Sequence, residues 1–346
     1  MENAEVEMVK DKGEWDSLVE VSDNSTIFHR WQWLKAVERH TGCRLQPLVV
    51  KKGTEPVAIF PLFLTKRYGL KLALSPPPMA ILVYLGPAMI SYDTLKRGKK
   101  ESLLIETVES VDEYLETEDV DYLRIRTPPF LDDPRPFSWR GYQVNPQFTY
   151  VLDLKKGYED IWANLSKSLR RSIEKTRKKG LEVREGDYRD VEYIRTSMKK
   201  RFQDMGVKVP DDYYKGYMRD LYNEFYPENF KIFIVDANGK RTGGFISLCH
   251  RNRISYWFGL GKTSMSGVYP NDLLQWETIS WAIKNGFRYY EQIDAGDDPR
   301  LRHYKSKFNP DLIPWYSAVK SMSVLGKLGD MVSSSFLKSL MKKGRW

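Results

Sequence analysis

Basic side chains are concentrated in one short segment of the sequence. Residues 167–179 contain one acidic residue, Glu174, and seven basic ones: Lys167, Arg170, Arg171, Lys175, Arg177, Lys178 and Lys179. If the segment is helical, Arg171 and Lys175 share one face, while Arg170 flanks the apolar stripe. Guanidinium and ammonium groups pair well with phosphate, so Arg170, Arg171 and Lys175 are candidate substrate-binding residues. The alternative is an ordinary solvated helix face, the usual position of a charge run.

A glycine-containing segment precedes a predicted helix in the second half of the chain. It reads Gly259-Leu-Gly-Lys-Thr-Ser-Met-Ser-Gly267. Backbone N–H groups at the start of a helix favour negative charge, so this segment is a candidate anion or cofactor site. Gly259, Gly261 and Gly267 are its candidate cofactor-binding residues. An ordinary connection between a strand and a helix would have the same composition.

An aspartate follows a predicted strand in the same half. Asp294 ends an aromatic-rich strand and stands beside Gly296. Strand ends are where α/β sheets hold ligands, so Asp294 is a candidate catalytic residue that orients an amine or accepts its proton. Together with Asp297 and Asp298 it could instead cap the next short helix.

Composition limits the class of protein. The chain has 346 residues, enough for two domains, and two cysteines, which give no disulfide framework. No cysteines and histidines have metal-ligand spacing, so no metal site is expected. The acidic, polar start is unlike a signal peptide, and no apolar run approaches about 20 residues. These features favour a cytoplasmic protein. The net charge of +9 suits phosphate-bearing partners, although it also fits a merely basic surface.

The order of predicted elements runs twice along the chain. In the second half, a helix is predicted over 158–179 from Ile161, Leu165, Leu169 and Ile173, followed by two further helices. A meander of strands follows, with a hairpin turn at Asn238-Gly239. We therefore predict a mixed α/β fold of two similar domains, residues 1–148 and 149–320, with a separate segment at 321–346.

Four motifs occur in order along residues 25–320. They are Phe28-His-Arg-Trp-Gln-Trp-Leu34; Trp162-Ala-Asn-Leu165 with Leu169-Arg-Arg-Ser-Ile173, Lys175 and Lys179-Gly-Leu-Glu-Val183; Tyr269-Pro-Asn-Asp-Leu-Leu-Gln-Trp276; and Asp294-Ala-Gly296 with Tyr304-Lys-Ser-Lys-Phe308. This set resembles the FemAB family and its relatives in exopolysaccharide biosynthesis. The resemblance implies two tandem GNAT-like domains, each a mixed twisted sheet flanked by helices.

The resemblance also implies an activity. Members of the family transfer an activated acyl or aminoacyl group to an amine of a lipid- or nucleotide-linked glycan precursor. Lys305 matches the lysine of the last motif and would stabilise developing negative charge. Tyr269 and Asn271 of the third motif would contact substrate, and Lys35, which follows the first motif, would contact an acceptor phosphate.

The donor is left open between acyl-CoA and aminoacyl-tRNA. GNAT enzymes that bind coenzyme A carry an Arg or Gln at the first position of a phosphate-binding pattern and a Gly or Ala at the last. Here those positions are Ser264 and Tyr269. The helical hairpin that resembles a tRNA-binding arm in some FemAB enzymes has no counterpart either, since 180–190 is too short to hold it. No tightly bound cofactor is expected.

Residues 321–346 suggest a membrane contact. Val324, Leu328, Met331, Val332, Phe336 and Leu340 form a helical apolar stripe among basic residues. Such a helix is compatible with peripheral binding at the inner face of a membrane, or with packing on its own domain. In function, the expected acyltransferase has one alternative, a non-catalytic module that binds an anionic glycolipid or nucleic acid.

Overall fold

The computed structural model describes residues 4–67, 69–206, 208–209, 212, 214–259, 265, 267–294, 296 and 298–323. Contacts divide these residues into two compact units, one formed by 4–147 and 314–323 and the other by 148–313. The expectation placed 149–320 in a single domain, whereas in the structure residues 314–320 lie with the first unit. The expected helix in 321–346 lies outside the described residues, apart from 321–323.

Among its described residues, the first unit contains seven strands and four α-helices. In chain order they are β1 (Ala4–Met8), α1 (Lys12–Val21), α2 (Trp31–Thr41), β2 (Arg44–Lys52), β3 (Glu55–Arg67), β4 (Leu70–Ser75), β5 (Ala88–Met89), α3 (Arg97–Thr117), β6 (Tyr122–Arg126), α4 (Arg135–Trp139) and, after the second unit, β13 (Asp311–Ser321). The sheet order is β1-β2-β3-β4-β6-β13, with β5 beside β3. All neighbours are antiparallel except β4 and β6.

Helix α3 covers one face of this sheet. Leu104 and Val108 of α3 belong to the same buried cluster as Leu62, Leu123 and Ile125 of the strands, and each is at most 1% exposed. Burying a leucine of this kind contributes about 1.5–3 kcal/mol. The core of the first unit therefore lies between α3 and the sheet.

A buried carboxylate on α3 binds a lysine of β13. Asp112 is fully buried and accepts hydrogen bonds from the Tyr142 hydroxyl and, at 2.5 Å, from Lys320 Nζ. Burial raises the pKa of Asp112, and the two donors oppose that effect. Together with the pairing of Ser317–Ser321 to Tyr122–Arg126, this contact explains why the end of β13 belongs to the first unit.

Gly86 marks a close approach of two backbone segments and allows a test. Its φ is +62°, and an added Cβ would lie 2.9 Å from both the Arg126 carbonyl oxygen and Thr127 Cα. We expect Gly86→Ala to lower the free energy of unfolding by about 2–4 kcal/mol, since a left-handed alanine costs about 1–2 kcal/mol and the clash adds to it. Gly42→Ala is the control, because Gly42 has φ +68° with no atom within 4 Å. Urea unfolding should show the larger loss at Gly86; equal losses would contradict the packing argument.

The second unit contains six strands and six helices among its described residues. They are β7 (Gln143–Asp153), α5 (Gly157–Asn164), α6 (Lys167–Lys178), β8 (Leu181–Glu185), α7 (Tyr188–Asp204), α8 (Lys215–Phe225), β9 (Phe230–Ala237), β10 (Lys240–His250), β11 (Arg253–Gly259), α9 (Pro270–Lys284), β12 (Tyr289–Asp294) and α10 (Pro299–Ser306). The sheet order is β7-β12-β11-β10-β9-β8, antiparallel except for the parallel pair β11 and β12. Helix α9 connects that parallel pair.

The predicted hairpin is confirmed and the predicted long helix is wrong. Asn238 and Gly239 both have positive φ, 50° and 72°, as a two-residue turn between β9 and β10 requires. The helix expected over 158–179 is two helices, because Leu165 is extended and Ser166 caps α6 by accepting the Leu169 N–H at 3.3 Å. The predicted apolar stripe is nevertheless buried: Ile161, Leu165, Leu169 and Ile173 all lie in the core of this unit.

Within the described part of the chain, no helix is both long enough and apolar enough to cross a bilayer.

Candidate functional site

The parallel strands β11 and β12 are paired over only part of their length. Arg253–Ser255 pairs with Tyr289–Glu291, yet β11 continues to Gly259 and β12 to Asp294. The pairing of β12 with β7 is also irregular between Glu291 and Asp294. The carboxyl ends of the two strands therefore separate. Carboxyl ends of parallel strands, next to the start of the connecting helix, are where α/β sheets hold ligands.

The start of α9 faces this end of the sheet. Pro270 occupies the first turn, and the preceding residue, Tyr269, makes no side-chain capping hydrogen bond. An uncapped helix start carries partial positive charge and backbone N–H donors that attract anions. Gly267 lies just before α9 in the chain, and its carbonyl oxygen accepts a hydrogen bond from Lys175 Nζ at 2.8 Å. The structure thus brings two predicted site residues, Lys175 and Gly267, into contact beside the start of α9.

Two amide side chains near these strand ends have buried polar atoms without hydrogen-bond partners in the described part of the chain. Gln292 is 1% exposed, and neither its Nε2 nor its Oε1 has a hydrogen-bond partner among the residues that the structure describes. Asn271 donates from Nδ2 to the Tyr304 hydroxyl at 3.0 Å, but its Oδ1 is buried and also lacks a partner there. An unsatisfied buried polar group costs about 1–3 kcal/mol. These groups are therefore available to hydrogen-bond a ligand.

Lys305 fixes the end of β12. It is 9% exposed, and its Nζ donates to the carbonyl oxygens of Gln292 at 2.6 Å and Ile293 at 2.7 Å. Ile293 has φ +52°, an unfavourable conformation for a β-branched residue that the surrounding structure must hold. The ammonium group of Lys305 thus stabilises a bent strand end. Its expected role beside a developing negative charge stays a prediction.

A polar cluster connects α6, α9 and α10. Ser172 donates to Asp272 Oδ2 at 2.5 Å, and burial, followed by the Asp272 carboxylate, raises the pKa of Tyr304 well above its usual range. The phenol therefore stays protonated near neutral pH and can donate a hydrogen bond. Because Tyr304 contacts Asn271 and its neighbour Lys305 contacts Gln292, α10 joins the start of α9 to the end of β12.

The basic face of α6 lies next to this cluster. Arg171, Lys175, Lys178 and Lys179, with Glu174, line a shallow depression of about 370 Å³. In the described part of the chain, the guanidinium groups of Arg170 and Arg171 make no hydrogen bond or ion pair. The contact between Lys175 and Gly267 places this face beside the start of α9. The arrangement leaves Arg170 and Arg171 available for the phosphates of a ligand.

The other predicted residues lie elsewhere or have structural contacts. Lys35 belongs to the first unit, pairs with Glu38 on α2 and lies 6.0 Å from the centroid of the Trp31 ring. Gly259 is buried, and a Cβ there would lie 2.2 Å from that of Phe245, so close packing alone requires glycine. Asp294 is the last residue of β12, and the structure describes its backbone but not its side chain. Gly261 lies outside the described residues.

Sequence reasoning missed Gln292 and the polar roles of Ser172, Asp272 and Tyr304. Three of these lie inside the motifs quoted above, so their types and positions were visible. Gln292 was also detectable, because it is an amide in a strand whose neighbours are buried. Its lack of partners depends on tertiary packing, which no local pattern predicts.

Gln292 gives a test that separates a binding role from a packing role. We expect Gln292→Leu to raise the free energy of unfolding by about 1 kcal/mol, since it removes an unsatisfied buried amide, and to lower catalytic turnover. Gln275→Leu is the matched control, because Gln275 Oε1 accepts the Tyr290 hydroxyl at 2.5 Å and its loss should destabilise the protein. Thermal unfolding measures both. A Gln292→Leu variant as destabilised as the control would contradict the binding role.

The chain resembles known proteins in part of its sequence and in its fold. Residues 163–306 match the family model described as an acetyltransferase (GNAT) domain. No curated protein matches the chain. The crystal structure of FemX superposes with a TM-score of 0.68 at 13% identity, covering 90% of this chain and 96% of that one.

Two further solved structures share the fold. The C-terminal domain (DUF2156) of an Agrobacterium fabrum protein described as a lysylphosphatidylglycerol synthetase has a TM-score of 0.55 at 13% identity, with 92% of this chain and 94% of that one covered. A tandem GNAT protein from the clavulanic acid biosynthesis pathway has a TM-score of 0.51 at 13% identity, covering 92% and 99%. Identities this low show the fold alone. Residues 163–306 therefore match an acetyltransferase (GNAT) domain, and the chain shares its fold with FemX and with a tandem GNAT protein.

Proposed function

We propose that this chain transfers an activated acyl or aminoacyl group to an amine of an anionic, cell-envelope glycan or lipid-linked acceptor. The observation that carries the proposal is the separation of β11 and β12 inside the GNAT domain, with the unsatisfied amides of Gln292 and Asn271 nearby. The names of two similar structures, FemX and a lysylphosphatidylglycerol synthetase, suggest the class of acceptor.

The transfer needs alignment more than a protein nucleophile. The amine nitrogen attacks the carbonyl carbon of the activated acyl group, the C–N bond forms, and the bond to the leaving sulfur or oxygen breaks. The proton lost by the amine is balanced by protonation of the leaving group. Gln292 can donate a hydrogen bond to an acyl or amide oxygen, and the neutral Tyr304 phenol can donate a second one. Lys305 is a candidate for holding the end of β12 in place, and Asp294 is a candidate for orienting the amine.

The donor in this proposal is an acyl thioester such as acyl-CoA, the usual cosubstrate of GNAT domains. The start of α9 offers backbone donors for its phosphates, and the α6 basic face offers Arg171 and Lys175, with Arg170 on the adjoining side of the helix. Aminoacyl-tRNA is the second candidate donor, because the same basic face would suit an RNA backbone. The proposed location is the inner face of the cytoplasmic membrane, where lipid-linked acceptors are found.

The experiment pairs each donor with matched acceptors. Labelled acetyl-CoA or glycyl-tRNA is incubated with the full chain and one of three amines: a uridine-diphosphate amino sugar, phosphatidylethanolamine vesicles, or free glucosamine. Mass spectrometry detects the new amide. We expect transfer to at least one of the two phosphate-bearing amines at least about tenfold faster than to glucosamine, because the basic face attracts phosphate. Equal rates would contradict the acceptor class. Saturable binding without any product would favour a non-catalytic binding module.

A further inference from the structure

Two arginines of the first unit project from the face of β6 that lies away from α3. Leu123 and Ile125 are fully buried in the cluster with α3. Side chains alternate along a strand, so Arg124 and Arg126 extend from the opposite face. On the neighbouring strand β13, Val319 is opposite Arg124 and Ser317 is opposite Arg126. The two guanidinium groups therefore share one surface of the sheet.

The half-buried guanidinium of Arg124 is only partly paired. Its Nη2 is 3.5 Å from the Pro76 carbonyl oxygen, the limit of a hydrogen bond, and its buried Nε has no partner among the described residues. Burial lowers the pKa of Arg124, opposed only by Tyr122, and no carboxylate acts on it in the described structure. An arginine carries five N–H donors. In Arg124 the buried Nε donor has no partner within the described structure, and leaving a buried donor unpaired is costly, so the site has capacity for an acceptor.

A second unsatisfied donor lies on the same face. Trp315 of β13 is two residues before Ser317, so it projects to the side where Arg126 lies. It is 3% exposed, and its Nε1 has no partner within the described residues. Its ring centroid is 6.4 Å from that of Tyr84. Two kinds of unpaired N–H donor, guanidinium and indole, are thus found on one surface.

The segment 76–86 borders this surface in a strained conformation. Its carbonyls at Pro76 and Val83 are the groups that Arg124 and Arg126 approach, at 3.5 and 3.4 Å. Met79 and Ile81 have φ of 69° and 52°, in the left-handed region that a β-branched residue such as Ile81 rarely adopts. Strain of this kind is concentrated at ligand-binding segments. Gly86 anchors the segment against β6.

We propose that Arg124 is the centre of an oxyanion-binding site in the first unit, between β6 and the segment 76–86, that takes a phosphate or carboxylate group. A planar guanidinium binds either group through two parallel hydrogen bonds, and the unpaired indole N–H of Trp315 extends the donor surface. The site lies outside the GNAT domain of 163–306. It does not depend on the proposed transfer reaction, so binding can be tested without turnover.

The test is thermal unfolding of the full chain with increasing sodium phosphate or sodium acetate, against sodium chloride of equal ionic strength. We expect a saturable rise in Tm with phosphate or acetate above the chloride series, and the stronger of the two identifies the group. Arg124→Met should abolish that rise. It should also raise Tm without anion, because replacing a half-buried guanidinium whose buried Nε is unpaired with an apolar side chain removes the cost of that donor.

Two further variants keep the result interpretable. Arg67→Met, an exposed arginine at the end of β3, should respond to anions like the original chain. Arg124→Lys keeps the charge but loses the planar guanidinium that makes two parallel hydrogen bonds. The apparent affinity of this variant for the anion should therefore fall about tenfold. A full response in Arg124→Met would overturn the proposal. So would a lowered Tm of Arg124→Met without anion, since that would show Arg124 to be a structural residue.

Discussion

Replacing Lys305 with methionine is expected to lower kcat/KM for acyl transfer about 100-fold, since displacing a reactive geometry by about 1 Å can cost that much. The ammonium holds the carbonyls of Gln292 and Ile293, so its loss frees the strand end that carries the unsatisfied Gln292 amide. Lys307→Met is the control. The backbone oxygen of Lys307 accepts a hydrogen bond from the Ser166 N–H, and the substitution leaves that bond in place. The activity of Lys307→Met should therefore stay within about twofold of the original chain.

Release of free thiol from an acyl-CoA donor gives a direct rate for these variants. Both cysteines, Cys43 and Cys249, are buried, and burial raises the pKa of Cys249 to about 12, so the protein adds little to a thiol-reagent signal. The Lys305→Met variant should also unfold at lower urea concentration, because two carbonyls lose their donor. Nearly unchanged turnover in this variant would show that the bend at Ile293 does not matter for transfer.

Substituting Asp190 with alanine should destabilise the second unit by about 2–3 kcal/mol. Asp190 is 2% exposed and accepts from Arg184 at 2.8 Å, from Arg241 at 2.7 Å and from the Asp187 N–H at 3.1 Å. Breaking a buried pair can cost about 3–5 kcal/mol. The expected loss is smaller because Arg184 and Arg241 both reach solvent, and Arg184 keeps a second carboxylate partner, Asp236.

The Asp190 contribution should depend on pH with a definite sign. Burial alone would raise the pKa of Asp190, but hydrogen bonds from Arg184 and the Asp187 N–H, with the charges of Arg184 and Arg241, lower it below its usual value. A carboxyl with a lowered folded-state pKa stabilises the protein above its unfolded pKa of about 3.9 and loses that effect as pH falls toward the folded value.

Urea unfolding between pH 7 and pH 3 checks both claims. The difference between the original chain and Asp190→Ala should be largest near pH 7 and shrink below about pH 5. Glu182→Ala, an exposed carboxylate on the adjacent strand β8, should stay within about 0.5 kcal/mol throughout. A difference that does not change with pH would mean that the cost comes from lost packing rather than from the ion pairs.

The parts of the fold that local chemistry determines could be predicted from the sequence. The Asn238-Gly239 turn follows from the preference of these residues for positive φ, and Ile161, Leu165, Leu169 and Ile173 are buried as their spacing indicates. The helix break escaped prediction because the same apolar spacing continues across Ser166. The placement of β13 in the first unit rests on pairing with β6 and on the Asp112–Lys320 contact, both distant in sequence.

The candidate site was predictable only in outline. The glycine-containing segment and the α6 basic face do meet, through Lys175 and Gly267. The roles of Gln292 and Lys305 depend on where β11 and β12 stop pairing and on the left-handed Ile293, which are tertiary properties. Residue types could identify the ligand-binding end of the domain, but not which donors would be left unpaired.

We propose that the acyl donor binds where β11 and β12 separate. Hydrogen–deuterium exchange with and without a non-hydrolysable thioether analogue of acetyl-CoA tests it most directly, with an aminoacyl-tRNA analogue in its place if tRNA is the active donor. We predict that the analogue protects backbone amides in 267–273, at the start of α9, and in 290–294, at the end of β12, and that Gln292→Leu weakens this protection. Protection confined to other segments, with these two unchanged at saturating analogue, would contradict the account.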